Sequence, residues 1–173
     1  MKIEIVKVGY LETNCYILIK NNKCLIVDPG DDADKIIDKV HNNKVLAVLI
    51  THNHFDHVGA LGEIKEKYNV EKLHYDNLEE GKYKIEDFEF ESIFTPGHTS
   101  DSVSYYFYNE KKMFVGDFIF KENIGRCDLP TGDINTMYDS IEKIKKYNSI
   151  DIYPGHGDVT TLDYERQHNI YFN

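Results

Sequence analysis

The most informative part of this sequence is Thr51-His52-Asn53-His54-Phe55-Asp56-His57. Three histidines and an aspartate lie within six residues, directly after the continuous apolar run Val45-Leu46-Ala47-Val48-Leu49-Ile50. Such a run is typical of a strand that is buried on both faces. Because a solvated loop has no need for this many imidazoles, the stretch predicts a metal site held at the end of a buried strand.

The spacing of the ligands within this stretch indicates two metal ions. As the chain leaves the strand, His52 and His54 can point to one side while Asp56 and His57 point to the other. Imidazole nitrogens and carboxylate oxygens are donors that zinc binds at about 2.0–2.2 Å. A set of nitrogen and oxygen donors without cysteine also suits iron or manganese.

Three later residues repeat the arrangement of a candidate ligand that follows a predicted strand and stands beside a glycine. His98 lies in Thr95-Pro-Gly-His-Thr99, Asp117 in Val115-Gly-Asp117, and His156 in Pro154-Gly-His-Gly157. Glycine lets the backbone come close to a site without an intervening side chain. Together the three extend the predicted metal site over most of the chain.

The remaining pattern predicts strands that come mostly in pairs, with helices between the sets. This distribution favours two sheets packed together with helices outside. Strands are predicted near 3–8, 15–19, 24–27, 45–50, 71–75, 83–85, 88–94, 102–108, 112–116 and 150–153, and helices from 33, over 58–68, over 134–147 and from about 161.

In order and spacing, His52-x-His54-x-Asp56-His57, His98, Asp117 and His156 resemble the ligand motifs of the metallo-β-lactamase superfamily. The resemblance implies the α/β class, as an αββα sandwich of two mixed sheets with helices on the outer faces. It further implies two divalent metal ions at one edge, zinc as the first expectation and iron or manganese as alternatives. By position, the first metal would be bound by His52, His54 and His98, and the second by Asp56, His57 and His156. Asp117 would bridge the two metals, and Asp28 would support the ligands.

Within the superfamily, the sequence resembles glyoxalase II, the hydroxyacylglutathione hydrolases, and especially their short bacterial relatives. The resemblance implies thioester hydrolysis by a hydroxide that bridges the metals, with Asp56 and Asp117 as catalytic residues and Arg126 in contact with the substrate. Two departures are expected to loosen the hold on glutathione: Asp128 stands where an aromatic residue is frequent, and residues 1–173 form a single domain without the C-terminal helical domain. The likeness is carried by Gly116-Asp117, Ile124-Gly125-Arg126, Asp128-Leu-Pro-Thr-Gly132, Glu165-Arg166 and Asn169.

Other activities on the same ligand set stay open at this point. One is a mononuclear iron oxidoreductase similar to persulfide dioxygenases. Another is a hydrolase of lactones or other esters, or of β-lactams. The third is a metal-binding module without catalysis.

The composition limits the classes of partner that the protein is expected to bind. The 173 residues suffice for one domain, and the net charge of −10 disfavours nucleic acid and anionic membranes. The opening MKIEIVKVGY is too charged for a signal peptide, and the three cysteines lack a C-x-x-C spacing, so a cytoplasmic location is expected. The expected partner is a small-molecule acyl thioester, while the oligomeric state stays open.

Overall fold

Two mixed β-sheets pack face to face, with helices on both outer faces, in a computed structural model that describes residues 1–172. This is the αββα arrangement that the sequence predicts. Asn173, the last residue of the predicted domain, lies outside the described residues. Among residues 1–172, every helix is too short or too polar to cross a lipid bilayer.

The first sheet has five strands that follow one another in sequence order. The first three strands are antiparallel, and the last two run parallel to the third. They are β1 (Lys2–Val8), β2 (Thr13–Lys20), β3 (Lys23–Val27), β4 (Lys44–Leu49) and β5 (Lys72–Leu73).

The second sheet has six strands in the order β13-β12-β9-β8-β7-β6. Strands β7, β9 and β12 run in the same direction, because β7 and β9 are both antiparallel to β8 and β12 is parallel to β9. The strands are β6 (Gly81–Ile85), β7 (Phe88–Phe94), β8 (Val103–Phe107), β9 (Lys112–Gly116), β12 (Asp151–Pro154) and β13 (Thr160–Thr161). A separate hairpin of β10 (Ile119–Phe120) and β11 (Asn123–Ile124), which the sequence pattern does not predict, follows β9.

The structure has helices in all of the regions where the sequence pattern predicts them, but the bounds differ in two of these regions. The segment predicted as one helix over 58–68 is two helices, because a short helix already begins at Phe55, and the helix predicted to reach Tyr147 ends at Ile144. The helices are α1 (Ala33–Val40), α2 (Phe55–Val58), α3 (Leu61–Tyr68), α4 (Ile134–Ile144) and α5 (Leu162–His168), followed by a 3-10 turn at Ile170–Phe172.

Three apolar layers hold the sheets and helices together. Side chains alternate between the two faces of a strand, so in β2 Tyr16 and Leu18 face the second sheet while Ile17 faces the helices. Residues of α1 and α3, such as Ile36, cover the first sheet, and residues of α4, such as Met137, cover the second. The predicted amphipathic stripes therefore serve as the two outer layers.

A buried carboxylate connects α5 to β13 of the second sheet and to the β10–β11 hairpin. Glu165 is fully buried, and its Oε1 accepts a hydrogen bond of 2.5 Å from the Thr160 hydroxyl. Its Oε2 accepts hydrogen bonds from the backbone N–H of Glu122 at 2.8 Å and from the Asn169 side-chain amide at 2.9 Å. The contact to Glu122 reaches the β10–β11 hairpin, so one side chain links this hairpin to the end of the chain.

Replacing Glu165 by alanine should lower the free energy of unfolding by about 3 kcal/mol, the upper part of the range for leaving buried donors unsatisfied. Alanine is the best helix former, so the loss would not come from helix propensity. Urea unfolding measures the effect, with Glu66→Ala on the exposed face of α3 as the matched control. Equal losses for the two variants would contradict the role of this carboxylate.

Candidate metal centre

The candidate metal centre lies where strands from both sheets end. In the first sheet, β4 leads directly into the histidine-rich stretch that begins at Thr51. In the second sheet, β7, β9 and β12 end shortly before His98, Asp117 and His156. Because these three strands share one direction, their carboxyl ends lie at the same edge. All seven residues predicted as metal ligands therefore meet at this edge.

Three imidazole nitrogens form what we term the first donor group. His54 Nδ1 lies 3.1 Å from His52 Nε2 and 2.9 Å from His98 Nε2. Donors at about 2.0–2.1 Å from a tetrahedral zinc ion would lie about 3.3 Å from one another. The spacing of the three nitrogens fits a shared divalent ion.

A second donor group lies beside the first and combines a carboxylate with two imidazoles. Asp56 Oδ2 is 3.5 Å from His57 Nε2 and 3.2 Å from His156 Nε2. These separations also match those expected around one ion. The group includes two of the residues predicted from the histidine-rich stretch and the one predicted after the last long strand.

Asp117 stands between the two donor groups. Its Oδ1 is 3.3 Å from His57 Nε2 and 3.6 Å from His156 Nε2, whereas its Oδ2 is 3.6 Å from His98 Nε2. Both Asp117 Oδ1 and His57 Nε2 are buried without a hydrogen-bond partner. Buried polar atoms are rarely left unpaired, and a cation between these atoms would pair them. The donor set therefore fits divalent metal ions.

Hydrogen bonds on the far side of the imidazoles fix the positions of their protons. His98 Nδ1 donates to the backbone carbonyl of Arg126 at 2.7 Å, and His156 Nδ1 donates to that of Leu11 at 3.1 Å. A carbonyl oxygen can only accept, so the proton is on Nδ1 and the lone pair of Nε2 faces the centre. The two imidazoles are thereby oriented as metal ligands.

Asp28 orients two further imidazoles from the end of β3. Its carboxylate accepts from His57 Nδ1 at 2.9 Å, from the Thr51 backbone N–H at 2.8 Å and from the Thr51 hydroxyl at 2.6 Å. Because the Thr51 hydroxyl donates to Asp28, it is left to accept from His52 Nδ1 at 3.1 Å. Asp28 therefore occupies the supporting position that the resemblance implies.

Two further residues shape the centre, and the sequence pattern indicates only one of them. The hydroxyl of Thr13, at the start of β2, donates to Asp56 Oδ2 at 2.9 Å. A Cβ atom on Gly155 would lie 2.3 Å from Asp117 Oδ1 and 2.6 Å from His57 Cε1, so this position requires glycine. The glycine next to His156 was a visible signal in the sequence, whereas nothing around Thr13 marks it.

The two donor groups differ in charge. Burial and the neighbouring imidazoles lower the pKa of His52 well below its ordinary value. Burial also acts to lower the pKa of His57, but the Asp28 and Asp117 carboxylates outweigh it and raise this pKa to about 10. His52 therefore presents a neutral nitrogen, whereas in the second group a metal ion would replace a proton at His57 Nε2.

A cleft of about 570 Å³ opens over the centre. Its walls are largely apolar, and the side chains that provide this apolar surface are Leu11, Phe55, Phe120 and Leu129. An adjoining groove of about 510 Å³ shares His54 and Leu129 with the cleft and is otherwise more polar. The centre is thus open to a substrate that has an apolar part.

Arg126, predicted to contact the substrate, lines this cleft. Its guanidinium is paired with Asp128 in a two-point contact, from Nε to Oδ1 at 2.7 Å and from Nη2 to Oδ2 at 2.8 Å. Cys127, between them, donates its thiol to the Gly125 carbonyl at 3.4 Å and does not line the cleft. The pairing of Arg126 was not expected from the sequence.

Comparisons with known proteins agree with this geometry. Residues 8–81 and 75–156 match the family model of the metallo-beta-lactamase superfamily. The hydroxyacylglutathione hydrolase GloC of Haemophilus influenzae is 33% identical over 211 residues, covering 100% of this chain and 99% of that protein. Among solved structures, the BLEG-1 B3 metallo-beta-lactamase has a TM-score of 0.94 and 30% identity, covering 99% of this chain and 100% of that one. TTHA1623 in a di-iron-bound form has a TM-score of 0.87 and 28% identity, covering 97% and 99%.

These likenesses extend over the whole fold and include the strand ends that carry the donors. They confirm the predicted fold class, and together with the donor set they support binding of divalent metal. The chain belongs to the metallo-beta-lactamase superfamily and is a metal-dependent hydrolase of that family.

Proposed function

We propose that this protein hydrolyses acyl thioesters with two zinc ions, which the two donor groups would hold and Asp117 would bridge. The observation that carries this proposal is the lack of a spare proton donor in the cleft. Apart from Arg126, every ionisable side chain that lines the cleft, within residues 1–172, is one of the candidate metal ligands.

This lack favours a leaving group that departs without help. A thiol has a pKa of about 8.5, so a thiolate can leave as an anion at neutral pH. An alkoxide or an amine is far more basic and needs a proton from a general acid as the bond to carbon breaks. A cleft without such an acid therefore suits a thioester better than an oxoester or an amide.

The other roles in the proposed reaction belong to different residues of the centre. Divalent ions, when bound, supply Lewis-acid activation of water and of the substrate carbonyl. Asp117 fixes the separation of the two donor groups, and Asp56, held by the Thr13 hydroxyl, can orient the attacking water. Phe55 and Phe120 give the cleft apolar walls beside the centre, and Arg126 is placed to contact the rest of the substrate.

The relative from Haemophilus influenzae supports the proposal, since its name describes thioester hydrolysis and it aligns with the whole of this chain. The BLEG-1 structure favours a second candidate, the hydrolysis of β-lactams. β-Lactam opening expels an amide nitrogen that must gain a proton. The absence of an unused acid in the described cleft makes this the weaker candidate.

Protein saturated with zinc should bind two ions per chain, and His156→Ala should reduce this number to one, because His156 belongs only to the second donor group. Native mass spectrometry after dialysis counts the ions. His168→Ala, which removes an exposed histidine of α5, is the matched control and should retain both. A single ion in saturated wild-type protein would favour the mononuclear iron oxidoreductase, which needs only one donor group.

Asp117→Ala should weaken both ions together, because each of its oxygens faces a different donor group. The value of kcat/KM should fall more than about 100-fold, since loss of a residue that merely supports a ligand costs about 10–100-fold. Thr13→Val, which removes one such supporting hydroxyl, should fall within that smaller range, and Thr13→Ser should restore activity. Zinc titration of near-wild-type affinity in Asp117→Ala would argue against the bridging role.

Among substrates with the same acyl group, the thioester should be cleaved with a higher kcat/KM than the oxoester, because only the thiolate leaves without a general acid. Initial rates of zinc-loaded protein on the two esters, and on a cephalosporin, measure the preference. Asp117→Ala is the control that identifies background hydrolysis. If a cephalosporin were cleaved faster than every thioester, the result would favour the second candidate function, the hydrolysis of β-lactams.

A further inference from the structure

The positive charge at the mouth of the cleft belongs to an exposed ion pair within the protein. Among the described residues that line the cleft, Arg126 is the only lysine or arginine, and its guanidinium already makes two hydrogen bonds to Asp128. Hydrogen bonding to Arg126 lowers the pKa of Asp128 to about 2, so the pair is ionised at neutral pH. The partner of Arg126 is therefore a carboxylate of the same chain.

The adjoining groove adds no positive charge. Its described lining contains neither lysine nor arginine, and its one carboxylate is Asp101. This carboxylate accepts a hydrogen bond of 2.8 Å from the side chain of Asn53. A thiol carrier that extended from the metal centre in this direction would meet hydroxyl groups and a second negative charge.

We propose that Asp128 is a specificity-determining residue that occupies Arg126 and thereby directs the enzyme to thioesters of carriers without net negative charge. The inference rests on the proposed thioester hydrolysis and names the class of carrier. An anionic carrier such as glutathione would have to compete with Asp128 for the guanidinium. Like charges placed together without a counterion disfavour binding.

Arg126 can still bind a neutral carrier while it is paired with Asp128. Its contact with Asp128 engages Nε and Nη2, and a guanidinium has five N–H donors in all. The N–H groups of Nη1 can donate to a carbonyl oxygen, as an amide-containing carrier arm would present. The apolar walls at Leu11 and Leu129 suit the methylene groups of such an arm or of the acyl chain.

The experiment compares two thioesters with the same acyl group, one of glutathione and one of the uncharged thiol N-acetylcysteamine. The quantity measured is the kcat/KM for the glutathione thioester divided by that for the neutral thioester. Asp128→Asn should raise this ratio about 5-fold, the size of one charge contact near the protein surface in water. The rise should vanish in Asp128→Asn combined with Arg126→Gln, because the released guanidinium is its source.

A second measurement does not depend on turnover. The dissociation constant of a non-hydrolysable S-alkyl glutathione, measured by calorimetry, should fall by a similar factor in Asp128→Asn, and the gain should shrink as salt is added. Asp163→Asn is the matched control, because Asp163 also pairs with an arginine, Arg166, yet lines neither the cleft nor the groove. Its ratio and dissociation constant should equal those of the wild type.

The outcomes separate the two proposals. An active enzyme whose ratio and glutathione affinity do not change in Asp128→Asn would overturn the role of Asp128 and leave the hydrolysis of thioesters standing. A wild-type enzyme that already prefers the glutathione thioester would overturn that role as well. Inactivity of zinc-loaded wild-type protein on both thioesters would overturn the proposed function, and the inference about carriers with it.

Discussion

Asp28, only 2% exposed at the end of β3, accepts three hydrogen bonds from Thr51 and His57. A buried carboxylate is costly unless donors replace the water that it loses, and these three donors do so. Two of them come from Thr51, two residues after the end of β4, so the two strand ends are held together. Through the Thr51 hydroxyl the same carboxylate reaches His52. One buried charge therefore orients one imidazole in each donor group, His52 in the first and His57 in the second.

The distribution of charge follows from this arrangement. Burial lowers the pKa of His52 and of His54, while the neighbouring carboxylates raise the pKa of His57 and of His156. A cation entering the second group would displace a proton from His57 Nε2. At the mouth of the cleft, Arg126 forms an exposed ion pair with Asp128 of the same loop. Strong charges thus stand at the metal centre and are balanced where the substrate enters.

The sequence could predict the fold and the donor set because both depend on short segments. A buried strand followed by the 52–57 motif, and three later ligands that each follow a strand, place the donors at one sheet edge. Contacts between distant loops could not be predicted: the Thr13 hydroxyl meets Asp56 across 43 positions. The β10–β11 hairpin could not be predicted, because strands of two residues show no periodicity. The pairing of Arg126 depends on side-chain rotamers, which residue types alone do not determine.

The metal donors are spread along the chain in a fixed order, and this order matters during synthesis of the protein. The first donor group is complete in sequence once His98 has been synthesised, whereas the second requires His156, which comes much later in the chain. A domain generally folds as a unit, so its donors come together only when its strands are complete. A ribosome-bound chain that lacks β12 can therefore carry only one complete set of donors. Full loading with metal must wait for translation of the last strands.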